Sequence, residues 1–298
     1  MNIVIFGAGA IGSLFGALLY NKNNVILIGR KAHITAIKKN GLKIQGRTNL
    51  NVKIQAESSV DNVTFSPDLL ILTVKSYDTE TAIKQAKKII NKGTKVLSLQ
   101  NGLDNIEKIS RVVDSERIIA GTTTHGAYFL KTGVIKHTGT GITILGELKK
   151  GKNEQLDNVF RVFNEAGIKT SVSKNILKDI WSKGMINSSI NPLTAIFKCK
   201  NGHLLDNKIL ERLLEMICEE SVNIAKAHGI DLSNKEMLIK TKEVIKNTSD
   251  NFSSMLQSVM NRKKTEIDSI NGKLIEIGKK HNATTFINEI LVHCVKSL

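Results

Sequence analysis

Gly7, Gly9 and Gly12 stand at the spacing of a dinucleotide-phosphate turn, directly after the apolar run Asn2 to Phe6. A continuous apolar run of that length suits a strand buried on both faces. In such a turn the first glycine makes the tight bend and the second lets the backbone approach a pyrophosphate. The third lets the following helix pack on the strand. Ala8, Ala10 and Ile11 complete the turn, and Ser13 to Tyr20 continue as a helix whose N-terminal amides and dipole point at the phosphates. The second strand, Asn24 to Gly29, runs into Arg30-Lys31 with no acid nearby. A carboxylate there would hold ribose hydroxyls, whereas a guanidinium suits a phosphate dianion, so Arg30 favours NADP over NAD. The plain alternatives are a structural glycine turn and a solvated charge at a strand end.

A second group of polar residues interrupts an apolar segment in Trp181-Ser-Lys183-Gly-Met-Ile-Asn187-Ser-Ser-Ile-Asn191-Pro192. Lys183, Asn187 and Asn191 are four apart, so a helix stacks them on one stripe. Pro192 disfavours helical geometry at Asn191, which places Asn191 near the helix end. Farther on, Asn251, Ser253 and Ser254 precede an apolar run, where a helix N-terminus would bind a carboxylate. Thr265-Glu266-Ile-Asp268 has the form of a capping box opening another helix, with Glu266 in its first turn. A solvated lysine face and ordinary helix capping are the competing readings, and spacing by itself leaves them open.

The elements that must position these residues differ between the two halves. After a short helix from Ala32 to Asn40, Leu42 to Ile44 and Asn51 to Ala56 read as strands of an excursion. Asp68 to Val74 reads as a central strand followed by Lys75 and a helix over Asp78 to Ile90. Thr94 to Leu99 reads as the next strand, ending at Asn101-Gly102. A helix from Asp104 and a strand over Arg117 to Thr123 follow. Val134 to His137 and Gly141 to Leu145 read as a hairpin. A helix from Asn153 to Ala166 and a strand over Ile168 to Val172 close this half. Alternating strands and helices predict a doubly wound parallel sheet, whose strand ends at Gly7, Lys75 and Asn101 line one ligand-binding edge. From Asn175 on, apolar residues recur at three and four and strand signals vanish. The fold class is therefore α/β: an N-terminal Rossmann-type domain over residues 1–172 and a C-terminal all-helical domain over 173–298. The cleft between them is the expected substrate site.

At 298 residues the chain accommodates two such cores, and 41% hydrophobic with 23% charged residues is ordinary for a globular protein. The longest apolar runs are strand-sized, which speaks against a membrane span, and the early strand leaves no signal peptide. Cys199, Cys218 and Cys294 form no CxxC pair, so neither a disulfide framework nor a zinc site is expected. These features point to the cytoplasm. The net charge of +16 raises nucleic acid as a partner. Yet Lys38-Lys39, Lys87-Lys88 and Lys149-Lys150 fall on helix surfaces or loops, and 4% aromatics are too few for a stacking platform. A positive field also draws an anionic cofactor and substrate.

Gly7 to Gly12 together with Val74-Lys75, Asn101-Gly102, Gly121-Thr-Thr-Thr-His125, Ile190-Asn-Pro-Leu-Thr-Ala-Ile196, Asn201-Gly202, Ser253-Ser-Met-Leu-Gln257 and Thr265-Glu-Ile-Asp268 form an ordered series of motifs. On these, the chain resembles the ketopantoate reductase (2-dehydropantoate 2-reductase) family along nearly its whole length. The resemblance implies NADPH-dependent reduction of the 2-oxo acid ketopantoate to pantoate, on the way to pantothenate and coenzyme A. It implies Lys183 as general acid and Glu266 at the junction of cofactor and substrate. Asn101, Asn187, Asn191, Asn201 and Ser254 bind substrate in this reading, with Asn251 and Ser253 beside them. Lys75, Asn101 and Ala127 join the glycine turn in the cofactor site, and no metal is required. Gly126 and Phe129 depart from the family pattern and leave the acyl preference open. A reductase of another 2-oxo acid and a non-catalytic NADP-sensing protein are the alternatives. Oligomeric state, monomer or homodimer, is left open.

Overall fold

The computed structural model describes residues 1–148 and 154–298. The Lys149-Lys150 pair and Asn153 lie outside the described residues. The chain divides into two compact units. The first comprises Met1–Gln100 and Asn105–Ile176, and the second comprises Asn101–Asp104 and Leu177–Leu298. Nothing in the apolar periodicity marks residues 101–104 as part of the second unit.

The first unit contains β1 (Asn2–Phe6), α1 (Ala10–Leu19), β2 (Asn24–Ile28), α2 (Lys31–Asn40), β3 (Leu42–Gly46), β4 (Leu50–Val52) and β5 (Gln55–Glu57). It continues through β6 (Leu69–Leu72), α3 (Thr79–Ala86), β7 (Lys95–Ser98), α4 (Asn105–Ser110), β8 (Ile118–Thr123) and β9 (Gly126–Lys131). β10 (Val134–Gly139), β11 (Thr143–Glu147), α5 (Glu154–Glu165) and β12 (Thr170–Val172) complete it. Eight strands form one sheet in the order β12-β11-β8-β7-β6-β1-β2-β5. All neighbours in it are parallel except β8 and β11. β1 lies between β2 and β6, so the strand order reverses beside it. Ligands bind at such a reversal, outside the carboxyl ends of the strands. β6 is buried along its whole length, as its unbroken Leu-Leu-Ile-Leu requires.

Two sequence expectations give way here. The run over Val134 to Leu145 is not a hairpin. β10 pairs with β3 and β9 in a separate four-stranded sheet, order β4-β3-β10-β9, while β11 joins the main sheet against β8. The run Asn51 to Ala56 likewise splits between the two sheets as β4 and β5. Short apolar runs do not encode which sheet will pair with them, because pairing is decided by burial of a whole face.

The small sheet is pinned to the first helices by a buried histidine. The Gly133 amide donates to His33 Nδ1 at 3.0 Å, so Nδ1 is the acceptor and His33 Nε2 carries the proton toward Ser13 Oγ, 3.1 Å away. A second proton on the ring would face the Gly133 amide. Burial lowers the pKa of His33, and likewise of His125 and His137, below the ordinary value of 6.5.

The second unit is helical: α6 (Ile176–Phe197, its first residue in the first unit), α7 (His203–Asp206), α8 (Lys208–Ala227), α9 (Asn234–Asn247), α10 (Ser254–Met260), α11 (Lys273–Lys280) and α12 (Phe286–Lys296). A π-helical turn over Asp268–Gly272 leads into α11. Leu210, Leu214, Ile217 and Ala225 make the buried stripe of α8. Asn207 Oδ1 caps its start by accepting from the amides of Ile209 and Leu210, at 2.9 and 3.2 Å. Among the described residues no helix is long and apolar enough to cross a membrane.

The three histidines stay neutral in the folded state while the unfolded chain takes up protons below about pH 6.5. Stability is therefore full above that pH and declines as pH falls toward their lowered folded values. A melting series should fall steadily as pH drops below about 6.5. A melting temperature that rises on acidification would contradict the neutral pinning role.

Candidate active site

The glycine turn closes onto the end of β6. Gly7 has φ +118°, a conformation that side chains rarely adopt, and a Cβ there would strike the backbone of Thr73 and Val74. A Cβ on Gly12 would strike the Gly7 carbonyl. Gly9 differs: its nearest neighbour lies 3.9 Å from a built Cβ, so its outer side is open. Gly9 also heads α1 with no side-chain cap and no acidic residue in the first turn. The amide donors and positive dipole end of α1 are thus not neutralised by the chain itself, as a bound pyrophosphate requires. Thr73 was not foreseen from sequence. Its hydroxyl donates to the Gly7 carbonyl at 2.9 Å and fixes the turn against β6. A threonine ending an apolar strand carries no signal of that role.

The other first-unit candidates are Arg30, Lys75 and Ala127. Arg30 is exposed where β2 ends and α2 begins. A cavity of about 220 Å³ lies beside it, lined by Phe6, Ile28, Gly29, Ser59 and Gln85 among others. Lys75 follows the carboxyl end of β6, the strand beside β1. Ala127 lies on β9 of the small sheet, opposite His137.

In the second unit, α6 carries Lys183, Asn187 and Asn191 at the predicted spacing of four. It does not end near Asn191, however. The helix passes through Pro192 to Phe197. Part of the reason is visible at Ser188, whose carbonyl loses the amide that Pro192 lacks and accepts Asn271 Nδ2 at 3.0 Å instead. Lys183 keeps some surface exposed, yet burial of its ammonium lowers the pKa from 10.5 to about 8, with Glu266 opposing that fall. Glu266 is itself only 7% exposed.

The capping-box expectation at Thr265–Asp268 also fails. No α-helix opens there; the π turn does, without a side-chain cap. Glu266 precedes it, and the Glu266 carbonyl accepts from the amides of Ser269 and Ile270 at 3.1 and 3.2 Å. Such turns concentrate at functional sites. The same turn holds the Asn101–Asp104 segment, because Leu103 N donates to the Ser269 carbonyl at 2.9 Å. Gly184, next to Lys183, lets the Leu103 side chain pack against α6, since a Cβ there would lie 2.6 Å from Leu103 Cδ2.

The remaining candidates gather around α10. Ser253 caps it by accepting from Leu256 N at 3.1 Å, and accepts from Thr194 Oγ1 of α6 at 2.7 Å. Its hydroxyl oxygen is thus engaged structurally, as the capping alternative supposed. Ser254, the first residue of α10, is exposed. Asn201 N donates to the Asn251 carbonyl at 3.0 Å, and Asn201 Nδ2 donates to Thr248 Oγ1 at 2.9 Å. Asn201 Oδ1 is buried with no partner among the described residues, an acceptor suited to a hydroxyl. Asn191 is buried and Asn187 half-buried. Among the described residues no group of three or more metal-ligating side chains occurs.

A Rossmann-type unit with an open glycine turn, followed by a helical unit holding a half-buried lysine and a buried glutamate, defines a dinucleotide-dependent class of oxidoreductase. Residues 3–150 match the family described as Ketopantoate reductase PanE/ApbA, and residues 175–298 match its C-terminal counterpart. The chain belongs to this ketopantoate reductase family. It is 46% identical to a 2-dehydropantoate 2-reductase from Pyrococcus horikoshii, over all of this chain and 97% of that one. A relative of the same description from Pyrococcus abyssi is 42% identical over 99% and 97%. Among solved structures, a ternary D-mandelate dehydrogenase with NADH and anilino(oxo)acetate superposes with a TM-score of 0.95 at 29% identity, covering 100% and 97% of the two chains. A ketopantoate reductase from Ralstonia eutropha gives 0.91 at 28%, covering 100% and 98%.

Competitive acylation of the protein should find Lys183 titrating near pH 8, well below an ordinary lysine at 10.5. In Glu266→Gln the value should fall further, because the anion that holds the proton is gone. An upward shift, or none, would remove Glu266 from the surroundings of the ammonium.

Proposed function

We propose that the protein reduces ketopantoate to pantoate with NADPH, and that Lys183 is the general acid. The carrying observation is the buried Lys183 ammonium, with a pKa of about 8 and Glu266 acting on it, in line with two amide side chains on one helix. The match to the family over both units and the named relatives support the same reaction.

When bound, the reduced nicotinamide supplies a hydride to the ketone carbon of the substrate. The chain's own residues must then stabilise the charge that grows on the carbonyl oxygen. Lys183 Nζ donates a hydrogen bond to that oxygen and then passes its proton to it, leaving a neutral amine. A pKa of about 8 keeps the group protonated at neutral pH yet makes it a much stronger acid than a solvated lysine. Glu266 holds the proton on until transfer. The amides of Asn187 and Asn191 donate to substrate oxygens, Asn201 Oδ1 accepts from the substrate hydroxyl, and Ser254 holds the carboxylate. Asn101 and Asn251 complete the polar wall. The turn Gly7 to Gly12 and Lys75 take the pyrophosphate, and Ala127 belongs to the same cofactor site. Arg30 takes the 2′-phosphate that distinguishes NADP from NAD. In this reading the protein acts in the cytoplasm on a small molecule, as a monomer or homodimer, without nucleic acid.

A second reading, reduction of a different 2-oxo acid, is favoured by the likeness to D-mandelate dehydrogenase. NADPH oxidation measured with ketopantoate against a panel of 2-oxo acids separates the two. Ketopantoate should give the highest kcat/KM, and preference for another acid would favour the second reading. Lys183→Ala should lower kcat by at least ~100-fold, the usual scale of a positioned proton donor. Wild-type kcat should fall as pH rises through about 8, where the acid loses its proton. Arg30→Ala should weaken NADPH binding by roughly 10- to 100-fold and leave NADH nearly unchanged, the size of one charge-assisted contact. Equal loss for both nucleotides would refute the phosphate assignment.

A further inference from the structure

Pro192 stands inside α6, four residues after Ser188. In an α-helix each amide donates to the carbonyl four residues back, and proline has no amide hydrogen. The Ser188 carbonyl therefore loses its usual partner, one residue past Asn187 on the helix that carries Lys183. It is served from another element. Asn271, the fourth residue of the π turn and fully buried, donates to it from Nδ2 at 3.0 Å. The same Nδ2 donates to Asn288 Oδ1 at 2.9 Å. Asn288 Nδ2 in turn donates to Glu220 Oε1 at 2.7 Å, and the Glu220 carboxylate also accepts the amides of Ile287 and Asn288 at the start of α12. The turn is thus clamped between α6, α8 and α12.

Two features set Asn271 apart from a residue chosen for stability. Its own Oδ1 is buried with no hydrogen-bond partner among the described residues, which is unfavourable. The carbonyl it serves is exposed to it only because the helix carries a proline. Departures from local rules that offset each other in this way are expected where function requires a geometry. The Glu266 carbonyl, just before the π turn, accepts the amides of Ser269 and Ile270 within it, and the Ser269 carbonyl accepts Leu103 N, so the turn's placement sets that of Glu266 and of the Asn101–Asp104 segment together.

We propose that Asn271 is a positioning residue for the reduction: docked on the carbonyl vacated by Pro192, it holds the π turn so that Glu266 faces Lys183 across from α6. This rests on the roles of Lys183 and Glu266 proposed above. Pro192 creates the docking point, and Asn271 reads it.

The test is a double-mutant cycle of Asn271→Ala and Pro192→Ala in the full-length protein, read by the competitive-acylation titration of Lys183 and by kcat and KM for ketopantoate with NADPH. Asn271→Ala should lower kcat by at least ~10-fold with KM changed by less than ~3-fold, as a loss confined to the transition state does. It should also move the Lys183 titration to lower pH, as the restraint on Glu266 is lost. Pro192→Ala restores a helix amide that competes with Asn271 for the Ser188 carbonyl, so it should lower kcat and move the Lys183 titration in the same direction by a smaller amount. In the Pro192→Ala background the docking bond is already weakened by that competing amide, so adding Asn271→Ala should cost less than half as much on the logarithmic scale. A folded Asn271→Ala with wild-type kcat and titration overturns the proposal, as do equal losses in both backgrounds. Should Asn271→Ala fail to fold, Pro192→Ala decides. A Lys183 titration shifted to lower pH in Pro192→Ala supports the proposal, and a wild-type titration there overturns it. The titration needs no substrate, so failure of the wild type to reduce ketopantoate would refute the function while leaving the Asn271 test readable.

Discussion

An ammonium taken out of water is the constraint around which the second unit is organised. Burial makes Lys183 a stronger acid and favours loss of its proton. Glu266 opposes that loss, and the balance is a pKa of about 8. The pair is brought together by two elements far apart in sequence. α6 supplies the lysine on a helix that continues through a proline, and an irregular π turn supplies the glutamate. Each element breaks a local rule, and the hydrogen bond from Asn271 to Ser188 joins the two breaks.

The first unit depends on a constraint of a different kind, the closeness of two backbones. β1 and β6 are neighbours, and the turn leaving β1 lies against Thr73 and Val74 so tightly that only glycine fits at position 7. That closeness turns the uncapped start of α1 outward with its amides unsatisfied by the chain. Thr73 secures the arrangement through the Gly7 carbonyl. The small sheet attaches behind it through the neutral His33, which accepts from Gly133 and faces Ser13 of α1. A polar pin of this sort specifies one docking of the sheet where apolar packing would tolerate several.

Comparison of the two units explains why one was more legible than the other. Gly7, Gly9, Gly12 and the unbroken apolar strands are local signals: the turn demands glycine and the central strands demand burial, whatever lies elsewhere. The i, i+4 stripe of Lys183, Asn187 and Asn191 is local too, and its helix was readable from spacing. The family motifs around Asn191, Ser253 and Glu266 were readable as a series, although their roles as caps or ligands were not.

What the amino-acid sequence determined by itself was the class of each half, the glycine turn, the lysine stripe and the family. Those properties follow from side-chain period and from the φ that a residue can adopt. Only the tertiary structure decided the rest. It parted Val134–Gly139 from Thr143–Glu147 into two sheets, because strand pairing depends on which face a distant element covers. It carried α6 through Pro192 with a donor from Asn271, 79 positions onward, to the carbonyl that the proline leaves open. It replaced an expected helix cap at Glu266 with a π turn, and it lowered the Lys183 pKa by burial. A desolvated charge and a borrowed hydrogen bond are properties of contacts between remote segments, and no local pattern contains them.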